Sequence, residues 1–366
     1  MIQTSTASAL FLSEQMESAL RAAIHPAQKI LCVSHVSPDG DAIGSLLGMG
    51  WILRHLGKNP TLALADKPSK DFDFIPGFSD IVGVSSVRDD YDLVICLDAS
   101  SPDRMGAVYR AAAHVSIPLV VIDHHITNTN FGTLNWVAPG CAAVCQMLVY
   151  LADAWGAPLT GNLAVSLLTG LITDTLCFRT SNTDAHVLQA AMRLTDGGAQ
   201  IQEIVARTLQ SRSYVGLRLW GAILNQAVLE NRIVWAKISL AQRKQVGAQD
   251  SDGEGLANFF ISAREADIGA TFTERVQNGG QMVVECSFRA KPGFDVSQVA
   301  FAFGGGGHPL AAGCTLTAPL DEVAAQVVAA LHQAHQTQSA QRQAQNGDLF
   351  RRTEPLKSVA GNGVHG

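Results

Sequence analysis

Three short apolar runs in the first third of the chain each stop on residues that grip divalent cations. LCVS runs into His35, Asp39 and Asp41, VICL into Asp98, and LVVI into Asp123, His124 and His125. Apolar runs of this length, bounded by turn residues and alternating with helix-like patterns, read as strands of a parallel sheet covered by helices on both faces. The strand candidates are Lys29 to Ser34, Pro60 to Ala65, Asp92 to Leu97 and Pro118 to Ile122. Ligand sites in open α/β sheets lie outside the carboxyl ends of the strands, so the three separated segments are expected to converge on one crevice.

The spacing within these segments suits metal chemistry. In SHVSPDGDA, one turn can offer His35 and Asp39 to one cation while Asp41 points to a second. The plainer reading of this turn is helix capping, because a carboxylate is welcome at a helix N-terminus. Asp98 follows a fully apolar strand, where its two oxygens are placed to bridge two ions. Behind the next strand, His124 reads as a ligand, His125 as the group facing a phosphate, and Asp123 as the carboxylate that orients a histidine. Asp174 stands in the apolar pattern Gly161 to Phe178, where an unpartnered carboxylate is costly and a metal would resolve the cost. Oxygen and imidazole ligands without a thiolate favour Mn2+ or Mg2+ over zinc, with Mn2+ the first expectation. Two such cations can lower the pKa of water and clamp phosphoryl oxygens during in-line attack.

Farther along, SFRAKPGFDVSQVAFAFGGGGHPLAAG joins a cation, Arg289, to the glycine run Gly304, Gly305, Gly306 and Gly307 and to His308. Without β-carbons, successive backbone N–H groups can approach a phosphate or a base closely, although a tight helix-to-strand turn also calls for glycine. Arg104, just after Asp98, is a candidate to pair with a phosphate from the catalytic side, and Lys291 lies near Arg289.

HxxxDxD, a strand-end Asp, the triplet Asp123-His124-His125 and a later Asp together resemble the motifs of the DHH phosphoesterase superfamily. The glycine-rich stretch is similar to its DHH-associated C-terminal domain. The likeness covers about residues 25 to 335, and its length and domain order resemble the bacterial nanoRNase and pAp phosphatase subgroup. It implies an α/β fold, with a parallel-sheet catalytic domain, a smaller α+β substrate domain and the active site in the cleft between them. The expected boundaries are 1–210 for the catalytic domain, 211–230 for a helical linker, 231–335 for the substrate domain and 336–366 for a disordered tail. His35, Asp39 and Asp98 would hold one metal and Asp41, Asp98, His124 and Asp174 the other. Arg104, Arg289, Gly304 to Gly307 and His308 would hold substrate.

The resemblance implies a two-metal enzyme that trims very short RNA or DNA oligonucleotides to 5′-mononucleotides and dephosphorylates 3′-phosphoadenosine 5′-phosphate (pAp). Cleavage of cyclic dinucleotides or linear pApA and pGpG is the alternative within the superfamily. Nucleotide binding without turnover is the alternative outside it. A net charge of −6 argues against a long nucleic-acid track, which needs many basic phosphate contacts, but suits a short substrate. Charged residues or glycines interrupt every apolar stretch, so no membrane span is expected and the cytoplasm is the expected location. Seven cysteines set mostly inside apolar patterns read as reduced, packed thiols. A homodimer is a further candidate assembly. QNGDLF in the polar tail loosely resembles peptides that dock on sliding clamps.

Overall fold

The computed structural model describes residues 10–114, 116–277 and 279–351, and the chain divides into two compact units between Ser211 and Arg212. In the first unit, β1 (Ile30–Val33), β2 (Thr61–Ala63), β3 (Ile81–Val82), β4 (Leu93–Leu97), β5 (Leu119–Asp123) and β6 (Leu134–Val137) form one sheet. Its order is β3-β2-β1-β4-β5-β6, and every pairing is parallel. The direction of winding reverses between β1 and β4, and that switch point opens a crevice at the carboxyl ends of the two strands. His35 and Asp98 sit there.

Side-chain alternation sorts the strands onto two cores. Ile30, Cys32, Ile95, Val120 and Ile122 face the helices Gly40–His55, Val144–Trp155 and Gly161–Asp174. Leu31, Val33, Val94, Cys96 and Val121 face the other way, onto Met105 and Val108. The expected cover of long helices on both faces therefore holds for one face only. The opposite face is closed by the 3-10 segment Pro102–Val108 and the single turn Ala111–His114. β3 and β6, which sequence patterning missed, are too short and too half-buried to show an apolar run.

The second unit carries a mixed sheet in the order β11-β12-β10-β9-β8-β7. Its strands are β7 (Val228–Glu230), β8 (Ile233–Ile238), β9 (Ile268–Val276), β10 (Met282–Ala290), β11 (Gly306–His308) and β12 (Ala311–Leu316). Only β8 and β9 run parallel. One face packs on the helices Ser297–Ala302 and Leu320–Arg351 around Phe272 and Phe288. The other gathers Leu219, Trp220 and Ile223 of the helix Tyr214–Leu224 against Ile238, Leu256 and Phe260.

Two expectations need correction here. The segment expected as a helical linker at 211–230 instead contributes the helix Tyr214–Leu224 and strand β7 to the second unit, because Leu219, Trp220 and Ile223 are core residues. The tail expected to be disordered from 336 continues as helix through Arg351. Its polar residues find partners: Gln338 bonds Asp295 at both backbone N and O, and Arg342 lies over the Phe294 ring at 4.9 Å. The side chains of the clamp-like peptide at 345–350 lie outside the described residues.

Candidate metal centre

Each residue of the expected cluster is held by a distinct piece of backbone. His35 leaves β1 buried, with its Nδ1 2.8 Å from the Val36 carbonyl, which directs Nε2 into the crevice. Asp39 is the N-cap of the helix Gly40–His55, and its Oδ1 accepts from the N–H groups of Asp41 and Ala42 at 3.1 and 3.0 Å. The capping role and the ligand role thus fall on one carboxylate, which has lone pairs for both. Asp41 is fully buried and accepts from Val144 N and Cys145 N at 2.6 and 3.0 Å, at the start of the next helix.

Asp98 ends β4 in the left-handed region, with φ 58°, a conformation that asparagine and aspartate tolerate better than other L residues. Its backbone N–H still reaches the Ile122 carbonyl at 3.0 Å, so the turn is locked to β5. The segment after β5 supplies His124 and His125. Asp174 is the last residue of its helix rather than an interior one, because Leu176, Cys177 and Phe178 all adopt positive φ and end the helix earlier than the apolar pattern suggests. A carboxylate at a helix C-terminus faces the negative end of the dipole, which adds to its need for a cation.

The side chains converge. His35 Nε2 lies 3.7 Å from Asp39 Oδ1 and 3.5 Å from Asp98 Oδ2. His124 Nε2 lies 3.6 Å from Asp98 Oδ1 and 3.4 Å from Asp174 Oδ2. His125 Nδ1 is 3.6 Å from Asp98 Oδ1 and 2.7 Å from Asp123 Oδ1. Three overlapping groups result, each with ligand atoms within 4.8 Å of one another: His35, Asp39 and Asp98; Asp41, His124 and Asp174; and Asp98, His124 and His125. Asp98 belongs to two of them, and so does His124.

The electrostatics fit cation binding. Burial first, then the neighbouring Asp98 charge, pushes Asp41 up to about 7. Burial also raises Asp98, and burial with the charges of Asp41 and Asp98 raises Asp174 well above the carboxylate range. Burial opposes a charge on His35, but hydrogen bonds to Asp39 and Asp98 overcome it and lift the imidazole to about 10. His124, by contrast, is lowered, chiefly by burial, which keeps it neutral and fit to be a ligand. Asp98 Oδ1 is buried without a hydrogen-bond partner. An orphaned carboxylate oxygen amid mutually repelling acids is costly, and a divalent ion is the group that satisfies it. The donor set therefore fits hard or borderline cations, with His35, Asp39, Asp41, Asp98, His124 and Asp174 to hold them.

Three supporting features escaped sequence reasoning. Asn128 donates to Asp123 Oδ2 at 2.6 Å and to the Ala99 carbonyl at 3.1 Å, tying the segment after Asp98 to the carboxylate that orients His125. Ser34 donates to the Leu97 carbonyl at 2.8 Å and stitches β1 to β4 below the site. Close helix packing does the rest. A β-carbon on Gly170 would fall 2.6 Å from Asp41 Oδ1, and one on Gly44 would fall 2.6 Å from the Ser166 carbonyl. The four-residue spacing of Gly40, Gly44 and Gly48 was the available signal.

The substrate candidates divide between the units. Arg104 is exposed on the first unit, and its carbonyl accepts from Val36 N at 2.7 Å, which fixes it beside the His35 turn. Arg289, Gly304, Gly305 and Gly306 line a cavity of about 510 Å³ on the second unit. Arg289 also borders an adjoining cavity of about 330 Å³ with Arg243 and Arg275. Burial pulls the Arg289 guanidinium below its ordinary value, and among the described residues no carboxylate forms an ion pair with it. Part of the glycine run has a packing cause: a β-carbon on Gly305 would strike the Gly313 carbonyl at 2.1 Å. Gly306 has room for one, with only Phe301 at 3.4 Å, and His308 is exposed at the end of β11.

Comparison with known proteins agrees with this construction. Residues 29–171 match the DHH family, N-terminal domain, and residues 240–337 match the DHHA1 domain. The chain is 32% identical over 291 residues to the bifunctional oligoribonuclease and PAP phosphatase NrnA of Thermus thermophilus, covering 78% of this chain and 84% of that one. It is 26% identical over 292 residues to the NrnA of Bacillus subtilis, covering 78% and 89% of the two chains. A crystal structure of an exopolyphosphatase-related protein from Bacteroides fragilis has the same fold, with a TM-score of 0.81 at 22% identity over 89% of this chain and 96% of that one. The chain belongs to the DHH family, with the DHHA1 domain as its second unit.

Proposed function

We propose that the chain is a divalent-metal-dependent phosphoesterase that hydrolyses very short oligonucleotides to 5′-mononucleotides and removes a phosphate from pAp. The observation that carries this reading is the orphaned Asp98 Oδ1, buried where two of the three candidate ligand groups meet. The relatives named oligoribonuclease and PAP phosphatase supply the substrate class.

His35, Asp39 and Asp98 would hold one ion, and Asp41, Asp98, His124 and Asp174 the other. Oxygen and imidazole donors without a thiolate favour Mn2+. Bound there, such ions would supply Lewis-acid polarisation of phosphoryl oxygens and a lowered pKa for water, so no covalent intermediate on the protein is required. His125 does separate work. Its Nδ1–H donates to Asp123 Oδ1 at 2.7 Å, which fixes the ring beside the cluster. Burial opposes a charge there, but the hydrogen bond to Asp123 and the charges of Asp98 and Asp123 raise the imidazole, which suits it to face a phosphoryl oxygen. Arg104 offers a cation beside this site. Arg289 and the glycine run line a cavity on the second unit that serves as a phosphate subsite of that unit.

The test is product analysis with the Mn2+-loaded protein and 5′-labelled RNA of graded length, alongside pAp, cyclic di-AMP and pyrophosphate, with Asp98→Asn as the blank. Rapid loss of the shortest oligomers and of pAp is expected. Preference for cyclic dinucleotides, or inertness of the wild type with every divalent metal, would overturn the reading.

A further inference from the structure

Cys286 on β10 and Cys314 on β12 are register partners in an antiparallel pair. Both are free, both are buried, and both border the cavity that Arg289 and Gly304 to Gly306 line. The ladder geometry can be read from its end. Ala290 N donates to the Leu310 carbonyl at 3.0 Å, so these two residues form a hydrogen-bonded pair. The alternation of an antiparallel ladder then makes Phe288 with Ala312, and Cys286 with Cys314, hydrogen-bonded pairs as well. Residues opposed in this way sit about 5.5 Å apart at Cα, inside the span of about 4.4–6.8 Å over which a disulfide closes.

Each thiol shifts the other, Cys314 downward and Cys286 upward, and both side chains join the same core on one face of the sheet. β12 is shielded on its outer side by the three-residue β11 alone. No such arrangement joins Cys32 to Cys96. Those residues are offset by one position on parallel strands and face different cores.

We propose that Cys286 and Cys314 are an oxidation site, at which a peroxide closes a reversible cross-strand disulfide that disturbs the glycine run beside it. The Cys314 thiolate attacks a peroxide oxygen. The O–O bond breaks, an S–O bond forms, and hydroxide leaves. Cys286 then attacks the Cys314 sulfur, forming S–S as the S–O bond breaks, and its proton leaves with the departing hydroxide as water. Two thiols lose two electrons and two protons, hydrogen peroxide becomes two waters, and a dithiol reductant reverses the step.

Closure must draw the β-carbons from the roughly 4.5–5.5 Å of a cross-strand pair to about 3.8 Å. Gly305 lies against the moving part, since a β-carbon there would sit 2.5 Å from Cys314 Cβ and 2.6 Å from its Cα. The cavity above the pair therefore responds to oxidation whatever ligand it takes, and the inference does not depend on the catalytic reading.

The test is peptide mapping of the full chain after hydrogen peroxide treatment and alkylation under denaturing conditions, with amide hydrogen exchange read over residues 297–316 before and after. The expected result is a Cys286 peptide joined to a Cys314 peptide, lighter by two hydrogens than the separate thiols. Exchange across the glycine run should rise, and both changes should reverse with dithiothreitol. Alkylation of both cysteines, a bridge to another cysteine, or unchanged exchange in bridged protein would overturn the proposal. In Cys286→Ala, the remaining thiol should be trapped by dimedone as a sulfenic acid without the rise in exchange. The same rise in that variant would also overturn it.

Discussion

The first unit gathers carboxylates and imidazoles at the carboxyl ends of parallel strands, whereas the second lines one side of a mixed sheet with Arg243, Arg275, Arg289 and glycine backbone. Burial has opposite consequences in the two places. In the first, it drives Asp41, Asp98 and Asp174 toward protonation, so the cluster is complete only with cations. In the second, it pulls the Arg289 guanidinium below its ordinary value, which favours an anion beside it. The difference teaches that each unit carries its own kind of candidate site, and substitutions should separate the two halves.

The largest effect is expected from Asp98→Asn. Hydrolysis should fall by more than the ~10–100-fold typical of losing an outer partner of a metal ligand. The metal-free variant should melt no lower than wild type, because a buried charge is gone, while the rise in Tm on adding Mn2+ should shrink. A normal Mn2+-induced rise would break the assignment.

Asn128→Ala should come next. It frees Asp123 and hence His125, so kcat should drop by ~10–100-fold while the Mn2+-induced rise in Tm is kept. An unchanged kcat would remove Asn128 from the site.

Arg289→Ala should act on the other half alone. KM for a dinucleotide should rise about tenfold or more, the loss of a charged hydrogen bond of about 1.5–3 kcal/mol, with metal binding untouched. A fall in kcat without a change in KM would contradict the division.

The smallest effect concerns stability. Asp267 is held below the usual carboxylate range, first by Arg232 at 2.6 Å and then by His335 at 2.9 Å. A carboxylate lowered by folding contributes stability above its unfolded value of about 3.9, and that contribution is lost as pH falls through the folded value. Arg232 is half-exposed, so solvent screens the pair and its contribution is small. Asp267→Asn should lower Tm slightly at neutral pH, and the gap from wild type should close in acid. A gap that widens in acid would show the sign to be wrong.

Much of this site was legible because its ligands lie where apolar strands stop, a pattern written in consecutive residues. The six candidate ligands could be named without coordinates for that reason. Asn128 could not, since its partners Asp123 and Ala99 meet it only through the loop it closes. The end of the helix at Asp174 was hidden too. Leu176, Cys177 and Phe178 continue the apolar pattern, and their left-handed backbone has no marker such as glycine. The polar segment after His335 was misread because composition alone does not register that Gln338 and Arg342 find partners on the preceding loop. β11 was invisible for a related reason: glycines that look like a phosphate loop also let a short strand lie flat on β12.

Calorimetric titration of Mn2+ into the metal-free full chain, set against Asp98→Asn, tests the central claim most directly. The account predicts two ions per chain in the wild type and weakening of both in the variant, because one buried carboxylate serves both candidate positions. A single ion, or two ions bound as tightly in Asp98→Asn, would contradict it.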